Sequence, residues 1–218
     1  MPKFLIIGHG LAGAVLVHTL LSKGAEVMVI DTNLALSASS VSVGLVNPLI
    51  GPKLNLPIHL VECLEANQLF YGQLEQKWKK DLYTSLALHR IFKSEKQRSA
   101  WHNKSLNPQI ASFFGKQIGR KEYEKVGIQA DYGGGITQQA YRLDVSAFLS
   151  LSKDYLESTN SWSREKFDSE KCPPQYQIIF CEGHRVIDNQ WFNYLPFAPA
   201  RGEVLKVQSD QEESISNG

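Results

Sequence analysis

The sequence predicts an α/β fold that opens with a β-α-β unit, and three observations near its start support this prediction. Two short apolar runs, 3–7 and 26–30, are rich in the residues that fill strands buried on both faces of a parallel sheet. Between them, the apolar residues of 11–20 recur at helical spacing. Lys23-Gly24 then supplies a basic last turn and a glycine that ends a helix.

A glycine motif, GHGLAG at 8–13, lies between the first predicted strand and the helix. Gly8 lets the chain turn sharply off the strand, Gly10 lets a pyrophosphate approach the backbone, and Gly13 lets the helix pack closely on the strand. The amides of Leu11 and Ala12 start the helix and point at a bound anion. The motif therefore predicts a site for the pyrophosphate of a nucleotide cofactor.

An acidic residue, Asp31, ends the second predicted strand. A carboxylate at this place accepts hydrogen bonds from both hydroxyls of an adenosine ribose. The alternative is a tight turn in an ordinary α/β core, but the strand, the helix and the acid together favour nucleotide binding. We interpret His9 as a spacer with no special role and His18 as a surface or interface residue of the helix.

The segment SASSVSVGLVNP at 37–48 bears on which cofactor binds. A classical NAD domain would continue after Asp31 with a further helix on the sheet, whereas here small hydroxyl residues lead into an apolar stretch and a proline. Ser39 and Ser40 are suited to donate hydrogen bonds to a pyrophosphate, or alternatively to cap a short helix. Gly44 and Leu45 offer bare backbone to a flat ring.

Together, GxGLAG, Asp31 and the pattern ASSxxxGLxNP at 38–48 resemble the D-amino-acid-oxidase and glycine-oxidase group of FAD-dependent oxidoreductases. The resemblance implies FAD as the cofactor, although Ser37 stands where the group often has an arginine. It also implies a turn beside the pyrophosphate at Gly183. The implied FAD contacts are Gly8, Gly10, Leu11, Ala12, Gly13, Asp31, Thr32, Ala38, Ser39, Ser40, Val43, Gly44, Leu45 and Gly183.

The resemblance further implies two interleaved domains. A Rossmann-like FAD-binding domain with a parallel sheet would take 1–50 and 141–190, and an α+β substrate domain on an antiparallel sheet would take 51–140 and 191–218. The resemblance covers nearly all 218 residues but only part of the length of the group. The sequence ends on Asn-Gly, a turn signal between strands, so we expect an N-terminal fragment of a longer flavoenzyme.

The rest of the sequence alternates helical and strand-like patterns. We expect helices over 54–80 and 93–106, a helix capped by Asp144, and strands over 85–92, 129–136, 163–167 and 177–183. We interpret the glycine triplet at 133–135 as a bend, because no helix follows it directly. Cys181 is open to two interpretations, a redox nucleophile or a small packing residue, and we favour packing.

The resemblance implies hydride transfer from an amino acid or a related amine to the flavin. The residues that hold the substrate carboxylate in the group lie mostly beyond residue 218, so we assign no catalytic residue. Four candidates within the sequence have simpler structural explanations: Arg90, Arg142, Tyr132 and Arg201. The alternatives are an NAD-dependent dehydrogenase and a truncated, inactive nucleotide-binding remnant.

The composition of the sequence argues against several classes of binding partner. The 23 basic and 22 acidic residues nearly balance, which disfavours a nucleic-acid partner. The three cysteines and six histidines are scattered without metal-ligand spacing, so we expect no metal site and a reduced, cytoplasmic protein. Glycines and a histidine interrupt the first apolar stretch, so we expect no membrane span. The ligands that the resemblance implies are FAD and a small amine.

Overall fold

The structure, a computed structural model, describes residues 1–32, 37–171, 174–200 and 202. The chain divides into two units. The first unit combines the described parts of Met1–Val43 and Asp144–Val204, and the described part of the second unit is Gly44–Leu143. Each unit has a sheet of its own, parallel in the first and antiparallel in the second.

Strands and helices are numbered along the chain. They are β1 (Lys3–Ile7), α1 (Leu11–Ser22), β2 (Glu26–Ile30), β3 (Leu45–Val46), α2 (Leu60–Trp78), β4 (Tyr83–Ile91), α3 (Glu95–Ser105), β5 (Phe114–Ile118), α4 (Arg120–Lys125), β6 (Gly134–Leu143), α5 (Val145–Ser158), β7 (Trp162–Ser163) and β8 (Gln177–Phe180). Short 3₁₀ helices occupy Ala111–Phe113, Ser169–Lys171 and Gly183–Asp188. Within the described ranges, no helix is long and apolar enough to cross a bilayer.

The parallel sheet of the first unit has the strand order β7-β2-β1-β8. Strand β1 pairs with β2 from Lys3↔Glu26 to Ile7↔Ile30, and with β8 on its other side. Leu5, Ile6 and Ile7 are buried because β1 lies inside the sheet. The ends of β1, β2 and β8 therefore meet at one edge, where ligands of open α/β sheets bind.

Helices α1 and α5 contribute to the core of this unit. Val17 of α1 and Leu156 of α5 are fully buried in one cluster with Ile6, Val27 and Val29 of the sheet. Burial of such side chains stabilises the unit by about 1.5–3 kcal/mol each. Asp144 caps α5, since its carboxylate accepts a hydrogen bond from the amide of Ala147 at 3.0 Å.

The second unit is an antiparallel sheet organised around β6. Strand β4 pairs along one side of β6, while β3 pairs with its last residues and β5 with its first. Helix α3 buries Trp101 completely against Phe92 and Phe114. The same cluster includes Leu49 and Leu64. Aromatic and leucine side chains thus share the main cluster of this unit.

The predicted fold class is confirmed, but several boundaries differ from the prediction. The first long helix begins at Leu60 rather than residue 54, because Pro57 and the left-handed His59 precede it. Strand β6 begins at Gly134 rather than residue 129, because Gly133, with φ of +70°, closes a turn onto Ala130. The helix start predicted at residue 54 was therefore wrong, whereas the turn at Gly133 agrees with the predicted bend in a strand interrupted by glycines.

The strands predicted near the end of the first unit are shorter than expected. β7 contains only two residues, because β2 ends at Ile30, which is paired with Ser163. β8 stops at Phe180, paired with Ile7, the last residue of β1. Ile178 is 37% exposed, so the expectation of a buried strand there was wrong. β8 has one neighbour in the described sheet, which accounts for this exposure.

Candidate nucleotide-binding site

The glycine turn between β1 and α1 is held by the strands on both sides. The Gly8 amide donates to the Ile30 carbonyl of β2 at 2.9 Å. The Cys181 amide, just after β8, donates to the Ile7 carbonyl at 2.7 Å. Gly8 has φ of +100°, and a Cβ there would lie 2.5 Å from the Cys181 carbonyl oxygen. Only glycine fits this position without moving the backbone.

Helix α1 starts directly after this turn with Gly10 as its N-cap. The Gly10 carbonyl accepts the first helical hydrogen bond, from Ala14 at 2.9 Å, and Gly10 has no side chain to cap the helix. The first-turn amides of Ala12 and Gly13 have no acceptor within the helix, as at any helix start. A Cβ on Gly13 would collide with the Gly8 carbonyl, so α1 lies close against the turn. This end of α1 is a ready site for an anion.

Ser39 approaches the same helix start. Its hydroxyl oxygen accepts a hydrogen bond from the Leu11 amide at 2.9 Å. A Cβ on Gly10 would lie 3.1 Å from that oxygen, so the absent side chain leaves a cradle between them. The hydroxyl and the amides around it form a donor set that fits a pyrophosphate.

Ser40, by contrast, bonds within its own turn. Its hydroxyl accepts from the Ser37 amide at 2.9 Å and donates to the Ser37 carbonyl at 2.8 Å. Ala38 is exposed in the same turn. Residues 38–41 form turns rather than a helix, so the alternative of a helix cap at Ser39-Ser40 was wrong. The two serines therefore have different surroundings.

Asp31 follows β2 at the same edge of the sheet. One of its carboxylate oxygens accepts a hydrogen bond from the His9 amide at 2.6 Å. This bond ties the acidic residue to the glycine turn and fixes the direction of the carboxylate. The carboxylate is half-buried, and a second oxygen is suited to accept from a ribose hydroxyl.

Thr32 and Gly183 lie nearby in the first unit. The hydroxyl of Thr32 is 3.4 Å from an η nitrogen of Arg185, which donates to it from the 3₁₀ helix Gly183–Asp188. Gly183 starts that helix with φ of +59° and is exposed. The sequence gives no sign of this contact, because nothing in the local pattern of Arg185 links it to a threonine far along the chain.

Cys181 packs rather than presenting a reactive thiol. It contacts the core cluster of the first unit and lies beside Gly8 and Gly13. Burial raises the pKa of its thiol, so the thiolate needed for nucleophilic chemistry is disfavoured. These observations support the packing interpretation.

The last three predicted FAD contacts are consecutive residues, and the division between the units falls after the first of them. Val43 ends the first unit and is 44% exposed. Gly44 begins the second unit with φ of +71°, and its carbonyl accepts from the Leu143 amide at 2.9 Å. Leu45 starts β3 opposite Arg142 and is 45% exposed.

Arg90, one of the four set-aside candidates, has a structural role. Its guanidinium donates to the Leu49 carbonyl at 2.7 Å and to the Gly51 carbonyl at 3.0 Å. Arg201 lies outside the described residues. In the described part of the chain, no three His, Cys, Asp or Glu side chains come together as a metal site.

Two histidines of the first unit are buried. His9 is 8% exposed and His18 is 5% exposed, so placing His18 at the surface was wrong. An Nε2 atom of each lies within 2.9 Å of the Ser152 hydroxyl on α5. Burial lowers the pKa of His9 to about 4, although Asp31 acts in the opposite direction. No local signal could have revealed a contact between residues so far apart in sequence.

No protein-family model matches the sequence, but solved structures share its fold. The iminodiacetate oxidase from Chelativorans sp. BNC1 is 17% identical, with a TM-score of 0.59 over 85% of this chain and 56% of its own. The glycine oxidase from Bacillus cereus is 18% identical, with a TM-score of 0.55 over 77% of this chain and 49% of its own. The L-amino acid deaminase from Proteus vulgaris is 16% identical, with a TM-score of 0.51 over 83% of this chain and 40% of its own.

These similarities establish the fold. They confirm, at that level, the resemblance to the glycine-oxidase group on which the predicted architecture rests. The chain spans about half the length of these solved structures.

Proposed function

We propose that this chain is the FAD-binding portion of an oxidoreductase that oxidises an amino acid or a related amine. The observation that carries the proposal is the position of Ser39, whose hydroxyl meets the Leu11 amide at the start of α1. The glycine turn and Asp31 would serve any dinucleotide. A serine segment that returns to the same helix end is the feature that the resemblance associates with FAD.

The residues of the first unit have distinct roles in this proposal. The amides at the start of α1 and the Ser39 hydroxyl bind the pyrophosphate, with the helix dipole favouring the negative charge. Asp31 accepts hydrogen bonds from the adenosine ribose. Thr32, Ala38, Ser40 and Gly183 belong to the proposed surroundings of the cofactor.

In the proposal, Val43, Gly44 and Leu45 offer backbone and small apolar surface to the isoalloxazine ring. When bound, the flavin supplies the redox chemistry by accepting a hydride from the amine-bearing carbon. The chain's own contribution is to bind and orient the cofactor.

The substrate class is supported by the solved structures that share the fold. Their names denote an iminodiacetate oxidase, a glycine oxidase and an L-amino acid deaminase, and each name includes an amine or an amino acid. A small amine or amino acid is therefore the substrate we propose. We also propose that the protein is cytoplasmic. The free thiols of Cys63 and Cys181 are compatible with a reducing compartment.

The alternative NAD-dependent dehydrogenase has less support. It needs a further helix on the sheet after Asp31, and the described residues 37–43 form turns and irregular backbone instead.

The purified protein tests the proposal directly. We expect its absorbance spectrum to show flavin bands, with FAD as the nucleotide released on denaturation. A panel of amino acids and N-substituted glycines, offered without oxygen, should bleach those bands if the substrate class is right. A protein that takes up NAD but no flavin would refute the proposal, and one that binds neither would leave the inactive remnant as the explanation.

A further inference from the structure

A buried polar network lies behind the glycine turn. The Ser152 hydroxyl is 2.8 Å from the Nε2 atom of His9 and 2.9 Å from the Nε2 atom of His18. Ser152 is fully buried, and both histidines are less than one-tenth exposed. The three side chains come from the glycine turn, α1 and α5, so the network joins three elements of the first unit.

The serine hydroxyl has a single proton to share between two ring nitrogens. When it donates to one imidazole, the other must donate to its oxygen, so the two neutral rings have opposite protonation at Nε2. Protonating the accepting ring would take away the acceptor that the serine proton has now. In a buried site such a lost partner is costly, so the network favours two uncharged rings.

His9 connects this network to the proposed cofactor site through its backbone. The ring is fixed by Ser152, and the Trp162 ring meets it edge-on at 4.9 Å between centroids. The amide of the same residue donates to the Asp31 carboxylate at 2.6 Å. The ring and the amide belong to one residue in a tight turn, so a ring that is hydrogen-bonded and packed restrains the His9 Cα and, with it, the amide that donates to Asp31.

The charged groups near the His9 ring do not fix its orientation as Ser152 does. The negative charge of Asp31 raises the pKa of His9, and the positive charge of Lys153 lowers it. Lys153, on α5, lies 5.7 Å from the centroid of the Trp162 ring and pairs with Glu157 at 3.5 Å. The neutral contact with Ser152 is the short hydrogen bond that orients the His9 ring.

We propose that Ser152 is a positioning residue for the cofactor: together with His18 it fixes the His9 ring, and the His9 amide then holds Asp31 in the orientation that binds the adenosine ribose. This inference rests on the proposed function, because it assigns Asp31 to the ribose of FAD. It gives a binding role to a serine far from the glycine motif in sequence.

Titration of the 218-residue chain with FAD tests the inference. Ser152→Ala removes both hydrogen bonds and should weaken FAD binding about tenfold. Ser158→Ala is the matched control, since Ser158 lies on the same helix, is exposed and donates only locally to the Tyr155 carbonyl. Its affinity should equal that of the unsubstituted chain. Equal affinities for both variants would overturn the proposal.

A double-variant cycle separates positioning from general support of the fold. If Ser152 acts through Asp31, the Ser152→Ala effect should shrink to less than about twofold in an Asp31→Ala background. An undiminished effect there would show that the network only stabilises the unit, and would overturn the proposal. If Ser152→Ala does not fold, Ser152→Cys replaces the hydroxyl oxygen by a single larger atom that hydrogen-bonds more weakly. Its FAD affinity should fall while its circular dichroism stays unchanged, and wild-type affinity would overturn the proposal.

Failure of the proposed function gives a different result. In that case the unsubstituted chain itself binds no FAD, whatever the state of Ser152. A chain that binds FAD normally but is insensitive to Ser152→Ala refutes the positioning role alone.

Discussion

The two units differ in the side chains that fill their interiors. In the first unit, His9, His18 and Ser152 are buried together and hydrogen-bond to one another beside a glycine turn. In the second unit, the main cluster is aromatic and aliphatic, with Trp101 packed against Phe92 and Phe114. A buried polar network defines geometry, whereas an apolar cluster mainly supplies free energy of unfolding. Substitutions in the first unit should therefore alter ligand binding, and those in the second should alter stability.

The largest expected effect is on the stability of the second unit. Trp101→Ala should lower the free energy of unfolding by about 3–5 kcal/mol, because the side chain is fully buried. Trp191→Ala is the control, since Trp191 is 44% exposed, and it should cost far less. Urea unfolding measures both. Equal losses for the two variants would contradict an interior that depends on Trp101.

The next effect concerns pH and the first unit. His9 has a pKa lowered to about 4 when folded, compared with 6.5 as its ordinary value, mainly because it is buried. The unfolded chain therefore binds the proton more readily between these values, and stability falls as pH drops from 6.5 to 4. The loss should approach roughly 3 kcal/mol over the whole window. Urea unfolding at several pH values should show that His9→Gln lacks this component, and an unchanged profile would contradict it.

A smaller effect tests the turn against a similar glycine elsewhere. Gly8→Ala introduces a Cβ against the Cys181 carbonyl at a φ of +100°, and Gly24→Ala introduces one into open space at a φ of +76°. The first substitution should cost about 2 kcal/mol or more, and the second about 1 kcal/mol. Thermal unfolding measures both variants. Gly24→Ala reports backbone strain alone, and Gly8→Ala adds the collision with the Cys181 carbonyl. If the two variants unfold alike, the turn is less tightly held than the structure indicates.

The smallest effect distinguishes two adjacent serines. Ser39→Ala removes the hydroxyl at the start of α1 and should weaken FAD binding by about 1 kcal/mol, or roughly fivefold. Ser40→Ala should change the affinity by less than about twofold, because the Ser40 hydroxyl bonds to Ser37 within its own turn. Fluorescence titration compares the two. A larger effect at Ser40 would reverse the assignment.

The sequence predicted local structure best where a continuous apolar run forms a buried strand. β1 and β2 have the predicted bounds, 3–7 and 26–30, because an uninterrupted apolar run marks a strand inside a parallel sheet. The cap at Asp144 was equally readable, since an N-cap depends on a few neighbouring residues. Helix boundaries that depend on a proline and a left-handed residue, such as the one before Leu60, were harder to predict.

Contacts between distant residues could not be derived from patterns. The meeting of Ser39 with the Leu11 amide depends on how the chain returns after β2, and neither the residue pattern nor the resemblance predicted that contact. The contact between His9 and Ser152 joins residues 143 apart, and no periodicity marks either one. Local reasoning assigned His9 no role because its neighbours are glycines, whereas the fold places α5 against its ring.

Parallel titrations of the chain with FAD and with NAD test the central claim most directly. We expect FAD to bind at least about a hundredfold more tightly than NAD, a difference of roughly 2.8 kcal/mol. Asp31→Ala should weaken FAD binding, while Asp131→Ala, at an exposed aspartate of the second unit, should leave it unchanged. Tighter binding of NAD, or equal affinity of the Asp31 and Asp131 variants for FAD, would contradict the assignment of the first unit as a FAD site.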